Sequence, residues 1–109
     1  MNAVPTRTPE QRAEALAKAL ATRQAKAHLR RDIKGGRITG ADVIEGSSTD
    51  PVWAGLRVSW LLEALPGVGP IRAERIMHEL AIAPSRRIQG LGERQRGALL
   101  ARLRGQERT

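Results

Sequence analysis

A glycine-containing hairpin followed by arginines is the part of this chain best suited to chemistry. Residues 65–75 read Leu-Pro-Gly-Val-Gly-Pro-Ile-Arg-Ala-Glu-Arg. Gly67 and Gly69 allow positive φ and carry no Cβ atom that would hold a phosphate away, while Val68 is expected to turn inward. Backbone amides at the start of the following helix then favour an anion together with the helix dipole. The pattern predicts a phosphate-binding site that reads no bases, the alternative being a plain reverse turn of the same composition. The candidate residues are Gly67, Val68, Gly69, Pro70, Arg72 and Arg75.

A second basic segment follows, in which residues 85–92 read Ser-Arg-Arg-Ile-Gln-Gly-Leu-Gly. Ser85 is expected to cap a short helical turn, with Arg86 and Arg87 projecting side by side before the glycines. Two adjacent arginines can bracket one phosphate, or one can enter a minor groove; the alternative is that they are ordinary surface arginines. The candidate binding residues of this segment are Arg86, Arg87, Gln89, Gly90, Gly92 and Arg94.

The residues at both ends of the first predicted helix are typical helix start and stop signals. Residues 8–11 read Thr-Pro-Glu-Gln, which is typical of a capping box with proline at the first helical position. Good helix formers continue to about Lys34, where Gly35 and Gly36 end the helix. At about 100° per residue, five cations fall within about 80° of one another, beside an alanine-rich and shallow apolar stripe. This stripe is a candidate second DNA surface, the alternative being a solvated charged face; its residues are Arg12, Arg23, Lys26, Arg30 and Lys34.

The elements that position these residues are all expected to be helices. Further helices are predicted over 40–46, 51–54, 60–64, 70–80 and 93–104. No segment alternates like a strand, so no sheet is expected. The core is expected to form from Ile38, Val43, Ile44, Val52, Trp53, Leu56, Val58, Leu61, Leu62, Leu65, Val68, Ile71, Ile76, Leu80, Ile82, Ile88, Leu91, Leu99, Leu100 and Leu103. The chain then divides into a basic helical arm (1–36), a packed domain (37–104) and a disordered tail (105–109).

Composition narrows the class of partner. The 109 residues include 19 Lys and Arg against 11 Asp and Glu, for a formal net charge of +8, which favours a polyanion. Trp53 and Trp60 are the only aromatic residues, which counts against recognition by stacking on single-stranded bases. The absence of cysteine excludes a thiolate zinc site and fits a reducing cytoplasm. Neither a bilayer-length apolar run nor the apolar core of a signal peptide is present.

Four stretches of the chain resemble the actinobacterial integration host factors. They are Thr-Pro-Glu-Gln-Arg at 8–12, Leu-Pro-Gly-Val-Gly at 65–69, Ala-Pro-Ser-Arg-Arg at 83–87 and Gly-Leu-Gly-Glu-Arg-Gln-Arg at 90–96. The resemblance spans about residues 6–103. It implies an all-α fold in which a long N-terminal helix precedes a compact, S13-like helix-two-turns-helix domain containing a helix-hairpin-helix motif.

The resemblance also implies a function. Integration host factors of this type are nucleoid-associated proteins that bind duplex DNA through the backbone and minor groove with little sequence specificity. They bend or compact DNA and assist phage integration and recombination, which makes phage integrase complexes a further expected partner. Family members commonly carry a third arginine after the Arg-Arg pair, and this chain has Gln89 there. We expect a monomer on the nucleoid in the cytoplasm, with no membrane partner.

An enzyme and an RNA-binding module are the two alternatives to this function. Hairpin glycosylases need a catalytic aspartate downstream of the hairpin, but the last aspartate is Asp50; the lyases of this fold need an N-terminal amine such as proline and a zinc finger, whereas this chain begins Met-Asn and lacks cysteine. His28 and His78 are isolated and read as surface residues. We therefore expect no enzyme activity, no cofactor and no metal. The alternative left open is an RNA-binding or ribosome-associated module of the same fold.

Overall fold

A long helix, α1 (Pro9–Lys34), opens the part of the chain that this computed structural model describes, residues 6–107. Thr8 caps it as predicted: its hydroxyl accepts the N–H of Gln11 at 3.1 Å, and the Gln11 side chain accepts the N–H of Thr8 at 2.9 Å. The helix ends at Gly35, after which Gly36 takes a positive φ of 78°. Local capping chemistry thus sets both ends of α1.

The remaining elements are short helices. They are α2 (Gly40–Gly46), α3 (Pro51–Ala54), α4 (Val58–Ala64), α5 (Pro70–Glu79), a 3-10 turn (Ile88–Gly90) and α6 (Glu93–Glu107). Thr39 and Asp50 cap α2 and α3 through their side chains, which confirms those two starts. Residues 6–107 contain no strand of a sheet, and their only extended pairing is an isolated bridge. The all-α expectation is confirmed.

Two helix ends differ from prediction. Helix α4 begins at Val58 rather than Trp60, because the N–H of Val58 finds its acceptor in the carbonyl of Arg86 at 3.0 Å; the first N–H groups of a helix have no partner within it. Helix α6 continues to Glu107, so residues 105–107 are helical rather than part of a tail. Buried Leu103 anchors this last stretch, and its glycine remains helical. Residues 108–109 of the predicted tail lie outside the described residues.

The core is one cluster to which every helix from α1 to α6 contributes directly or at its edge. Ile71 was expected in it, but 76% of its surface is exposed. On α5 the buried face is formed by Ala73, Ile76 and Met77. At about 100° per residue, Ile71 points about 160° away from Ala73 and therefore faces solvent. Ala73 and Met77 take core positions that the sequence analysis did not assign.

Helix α1 belongs partly to this core and partly to solvent. Its first half is exposed, including Leu16 at 59% and Leu20 at 44%, as its shallow apolar stripe predicted. Leu29 and Ile33, in contrast, are 4% and 1% exposed and lie in the main cluster. The packed region therefore begins within α1 rather than at residue 37, because these two positions share one helix face that meets the core. None of the helices within residues 6–107 combines the length and apolar character needed to cross a bilayer.

Candidate nucleic-acid interface

The hairpin between α4 and α5 closes through backbone contacts. The N–H of Val68 donates to the carbonyl of Leu65 at 3.2 Å, and the Val68 side chain is 6% exposed, so it turns inward as predicted. Gly67 has a φ of +75°, which only glycine adopts without strain. Gly69 has a φ of −96° and a ψ of −178°, so it does not use the positive φ that glycine allows. One left-handed residue is enough to turn the chain, and Gly69 leads into α5 as extended backbone.

The N-terminus of α5 presents donors that no side chain caps. Gly69 is the N-cap residue, and Pro70, the first helical residue, has no N–H. The backbone N–H groups of Ile71 and Arg72 are thus the donors that the first turn leaves outside the helix ladder. A Cβ built on Gly67 or Gly69 would meet nothing within 4 Å, so the approach to these donors is open. Together with the helix dipole, this arrangement suits a phosphate oxygen.

The two arginines of α5 border different grooves. Arg72 lines a cleft of about 380 Å³ together with Pro66 of the hairpin and Thr39 at the start of α2. Arg75 lines a separate groove, with Ile71 and Pro84 among its neighbours. Both are exposed, and neither makes a hydrogen bond or ion pair with another residue of the described chain. Arg72 is therefore a cation beside the hairpin that has no hydrogen-bond or ion-pair partner within residues 6–107.

The arginine pair of the second segment does not project as predicted. Arg86 Nη1 donates to the carbonyl of Gly90 at 3.0 Å, whereas Arg87 Nη1 donates to the carbonyl of Gly55 at 2.6 Å. The backbone around Arg87 is extended and pairs with the chain just before α4. Since successive side chains of an extended segment point to opposite faces, the two guanidinium groups lie apart rather than side by side.

The turn that carries these arginines is not capped by Ser85. The N–H of Arg86 donates to the carbonyl of Ala83 at 3.0 Å, which places Ser85 within a tight turn. The 3-10 turn begins later, and its N-cap position is Arg87, without a side-chain cap. Ser85 is too early to reach those N–H groups. The exposed groove of about 390 Å³ at this turn is lined by Ala83, Ser85, Arg86, Arg87, Gln89 and Gly90.

The start of α6 completes this basic turn (residues 83–94). The N–H of Gly92 donates to the side-chain oxygen of Gln95 at 3.0 Å, and the side-chain nitrogen of Gln95 donates to the carbonyl of Ala81 at 2.9 Å. These bonds hold the turn against the end of α5. Arg94 is exposed in the first turn of α6 and has no partner among the described residues. It is therefore available to an external anion.

The basic stripe of α1 separates into two parts. Arg12 and Arg23 lie on the exposed first half of the helix; Arg12 Nη1 donates only to the carbonyl of Arg7, at 2.9 Å. Lys26 and Arg30 lie over the ring of Trp60 on α4, at 5.9 and 5.6 Å from its centroid. Cations in this geometry are attracted by the aromatic ring.

Lys34, the last cation of the stripe, forms two hydrogen bonds with the backbone at the end of α4. Lys34 Nζ donates to the carbonyls of Glu63 and Leu65, both at 3.1 Å. These carbonyls end α4, where the helix dipole favours a positive charge. Lys26, Arg30 and Lys34 thus fasten α1 to α4, while Arg12 and Arg23 face solvent.

Two arginines that the sequence analysis passed over have defined positions. Arg96 Nη2 donates to the carbonyl of Ile44 and its Nη1 lies 3.5 Å from Ser47 Oγ, so this side chain joins α6 to the end of α2. Arg57 forms an antiparallel bridge with Arg87 and is exposed. No local pattern could have indicated the Arg57 contact, because it depends on pairing between distant segments. Across residues 6–107, no group of three or more His, Asp or Glu side chains could hold a metal ion.

Comparisons with known proteins agree with this geometry. Residues 33–103 match the S13-like H2TH domain family, which confirms the predicted helix-two-turns-helix architecture. The integration host factors of Mycolicibacterium smegmatis and Mycobacterium tuberculosis are 52% and 51% identical over 98 residues, covering 90% of this chain and 93% of each relative. That of Streptomyces coelicolor is 44% identical over 97 residues, or 89% of this chain and 91% of the relative. A solved structure of sIHF bound to an 8bp palindromic DNA superimposes with a TM-score of 0.76 at 38% identity, over 80% of this chain and 98% of that one.

Proposed function

Because this chain belongs to the integration host factor family of mycobacteria and Streptomyces, we propose that it binds double-stranded DNA through the phosphate backbone with little sequence specificity. The observation that carries the proposal is the likeness to the DNA-bound sIHF chain, which extends over 98% of that chain with a TM-score of 0.76. The net charge of +8 supports a polyanionic partner independently.

Two sites on the packed domain would grip the backbone. At the hairpin, the amides of Ile71 and Arg72 bind a phosphate oxygen while the Arg72 guanidinium neutralises its charge. At the basic turn, Arg87 and Arg94 present guanidinium N–H groups around exposed backbone. Backbone amides and phosphate-directed arginines fix the protein on a duplex but carry no sequence information. Weak sequence preference follows from this choice of donors.

The exposed half of α1 supplies the second DNA surface in this proposal. Arg12 and Arg23 project from it, whereas Lys26, Arg30 and Lys34 contribute charge near α4 and keep the helix in place. A monomer with two basic surfaces can contact separate stretches of one duplex, which bends or compacts it. The role is architectural and non-enzymatic, exercised on the nucleoid in the cytoplasm, and includes assistance to phage integrase complexes during recombination.

Binding should depend strongly on salt and weakly on sequence. If about 4–6 phosphates are neutralised, log affinity should fall with log salt concentration at a slope of about −4 to −5. Fluorescence anisotropy of labelled duplexes of unrelated sequence, titrated between low and physiological salt, measures both quantities. A flat salt dependence would contradict the proposed grip on phosphates.

The same titration with a duplex RNA of matching sequence separates DNA binding from the RNA-binding alternative. A-form RNA places its phosphates in a different spacing around a wide, shallow minor groove. We expect tighter binding to the DNA duplex at every salt concentration. Equal or tighter binding to RNA would favour the ribosome-associated alternative instead.

Gln89→Arg should strengthen DNA binding by about threefold to tenfold. Gln89 is exposed in the groove of the basic turn, where family members commonly carry an arginine, so the new guanidinium can reach a phosphate that glutamine cannot neutralise. The salt slope should steepen by up to about one unit. Gln89→Glu is the matched control and should weaken binding; equal affinities for all three proteins would show that this position does not approach DNA.

A further inference from the structure

We propose that Arg57 and Arg87 together hold one phosphate of the DNA backbone, as a two-arginine clamp on the outer face of the basic turn. The inference rests on the proposed DNA-binding function and extends it to a residue that the sequence pattern does not mark. The two residues lie far apart in the chain and meet only because the segment before α4 pairs with the segment before the 3-10 turn.

The backbone pairing fixes how the two side chains stand. The N–H of Val58 donates to the carbonyl of Arg86 at 3.0 Å, and the N–H of Ile88 donates to the carbonyl of Leu56 at 2.9 Å. These bonds flank Arg57 and Arg87, which therefore form a non-hydrogen-bonded antiparallel pair. In such pairs the opposite Cα atoms are only about 4.5 Å apart and the side chains are closest.

Burial on the two faces of this short ribbon confirms which way the pair points. Leu56, Val58 and Ile88 are 2%, 0% and 1% exposed, so their face is turned into the core; Arg86, at the edge of that face, is exposed and donates to the carbonyl of Gly90. Arg57 and Arg87 alternate with them and are exposed. Both guanidinium groups must therefore share the solvent side.

Two like charges held directly opposite each other destabilise the folded protein when no anion lies between them. Other surface arginines of this protein are relieved by carboxylates at 2.9 Å: Arg37 by Asp32, Arg102 by Glu79 and Arg104 by Glu45. Within residues 6–107, neither Arg57 nor Arg87 has such an ion pair. An external anion is the partner that would relieve this repulsion.

The pair retains ample capacity to bind that anion. The Arg57 side chain donates to no residue of the described chain and makes no cap on α4. Arg87 uses one guanidinium N–H on the carbonyl of Gly55, which orients the group and leaves most of its five N–H donors free. A tetrahedral phosphate oxyanion can accept from two such forks at once.

The test uses the full chain, a labelled DNA duplex and four variants. Arg57→Ala and Arg87→Ala should each weaken binding by about fivefold to tenfold. Since both arginines contact one phosphate, the double variant should weaken binding by less than the product of the single effects. Its salt slope should fall by about one unit rather than two. Arg104→Ala removes the same charge from an arginine already paired with Glu45 and should change affinity by less than twofold.

The affinities of these variants distinguish failure of the clamp from failure of the proposed DNA binding. An Arg57→Ala protein that binds as tightly as the Arg104→Ala control would overturn the clamp while leaving DNA binding intact. Multiplicative effects with a slope reduced by two units would overturn it as well, since they indicate two separate phosphates. Failure of the unaltered protein to bind duplex DNA at low salt would instead remove the proposed function itself. Thermal unfolding followed by circular dichroism should show Arg57→Ala to be no less stable than the original chain, because that side chain has no hydrogen bond or ion pair to lose within residues 6–107 and its removal relieves the repulsion with Arg87.

Discussion

Gly69→Glu should strongly weaken DNA binding while the protein remains folded. Gly69 is the N-cap residue of α5, with a φ of −96° that any residue adopts, and a Cβ there would meet no atom within 4 Å. The substitution therefore strains nothing. Its carboxylate would lie at the positive end of α5, where it satisfies the donors that a phosphate would use. The variant thus carries an internal competitor for the phosphate and repels it at the same time.

We expect affinity to fall by about a hundredfold or more, which corresponds to about 2.7 kcal/mol or more of binding free energy. The free energy of unfolding should change by less than about 1 kcal/mol, since a negative charge near a helix N-terminus is favourable. Anisotropy titrations at fixed low salt measure the first quantity, and urea unfolding followed by circular dichroism measures the second. A large loss of affinity with an unchanged free energy of unfolding would show that the substitution removes the binding site and not the fold.

Two neighbouring variants separate charge from bulk at this position. Gly69→Ala adds only a methyl group in open space and should bind within about threefold of the original protein. Gly69→Gln has nearly the size of glutamate without its charge and should lie between the two. If Gly69→Glu bound as tightly as Gly69→Ala, the hairpin would be a structural turn and the basic turn would be the principal DNA contact.

The parts of the fold that depend only on contacts between residues close in the sequence could be predicted from the sequence. The starts of α1, α2 and α3 follow from Thr8, Thr39 and Asp50, whose side chains cap the next residues. The hairpin was recognisable because Gly67 must take a positive φ and buried Val68 must follow it. Each of these features is decided within about four residues.

Features that depend on distant contacts could not be predicted in the same way. Alternation along an extended segment separates Arg86 from Arg87, and pairing with the segment before α4 gives Arg87 a different neighbour, Arg57. Ile71 is apolar but faces solvent, because packing selects the opposite face of α5. The contacts of Lys26, Arg30 and Lys34 with α4 likewise require the tertiary structure. These residues have suitable chemistry, but only the fold determines what they touch.

Ile33→Ala should destabilise the protein by about 2–5 kcal/mol, the range for truncating a fully buried aliphatic side chain. Ile33 is 1% exposed and lies in the same cluster as residues of α4 and α6. Its removal leaves a cavity where the last turns of α1 meet the packed domain. Since domains of this size are stable by only about 5–15 kcal/mol, the loss should be evident as a lower urea midpoint with an unchanged slope.

Leu20→Ala on the same helix is the matched control. Leu20 is 44% exposed and outside the core cluster, so its truncation should change stability by less than about 0.5 kcal/mol. Removing residues 1–22 should likewise leave the domain folded, because Leu29 and Ile33 remain. A cost below about 0.5 kcal/mol for Ile33→Ala would instead show that all of α1 is an independent arm. A large effect of Ile33→Ala beside a small effect of Leu20→Ala would show that packing of its C-terminal turns sets the direction of α1. Only such packing can hold Arg12 and Arg23 at a fixed angle to the hairpin.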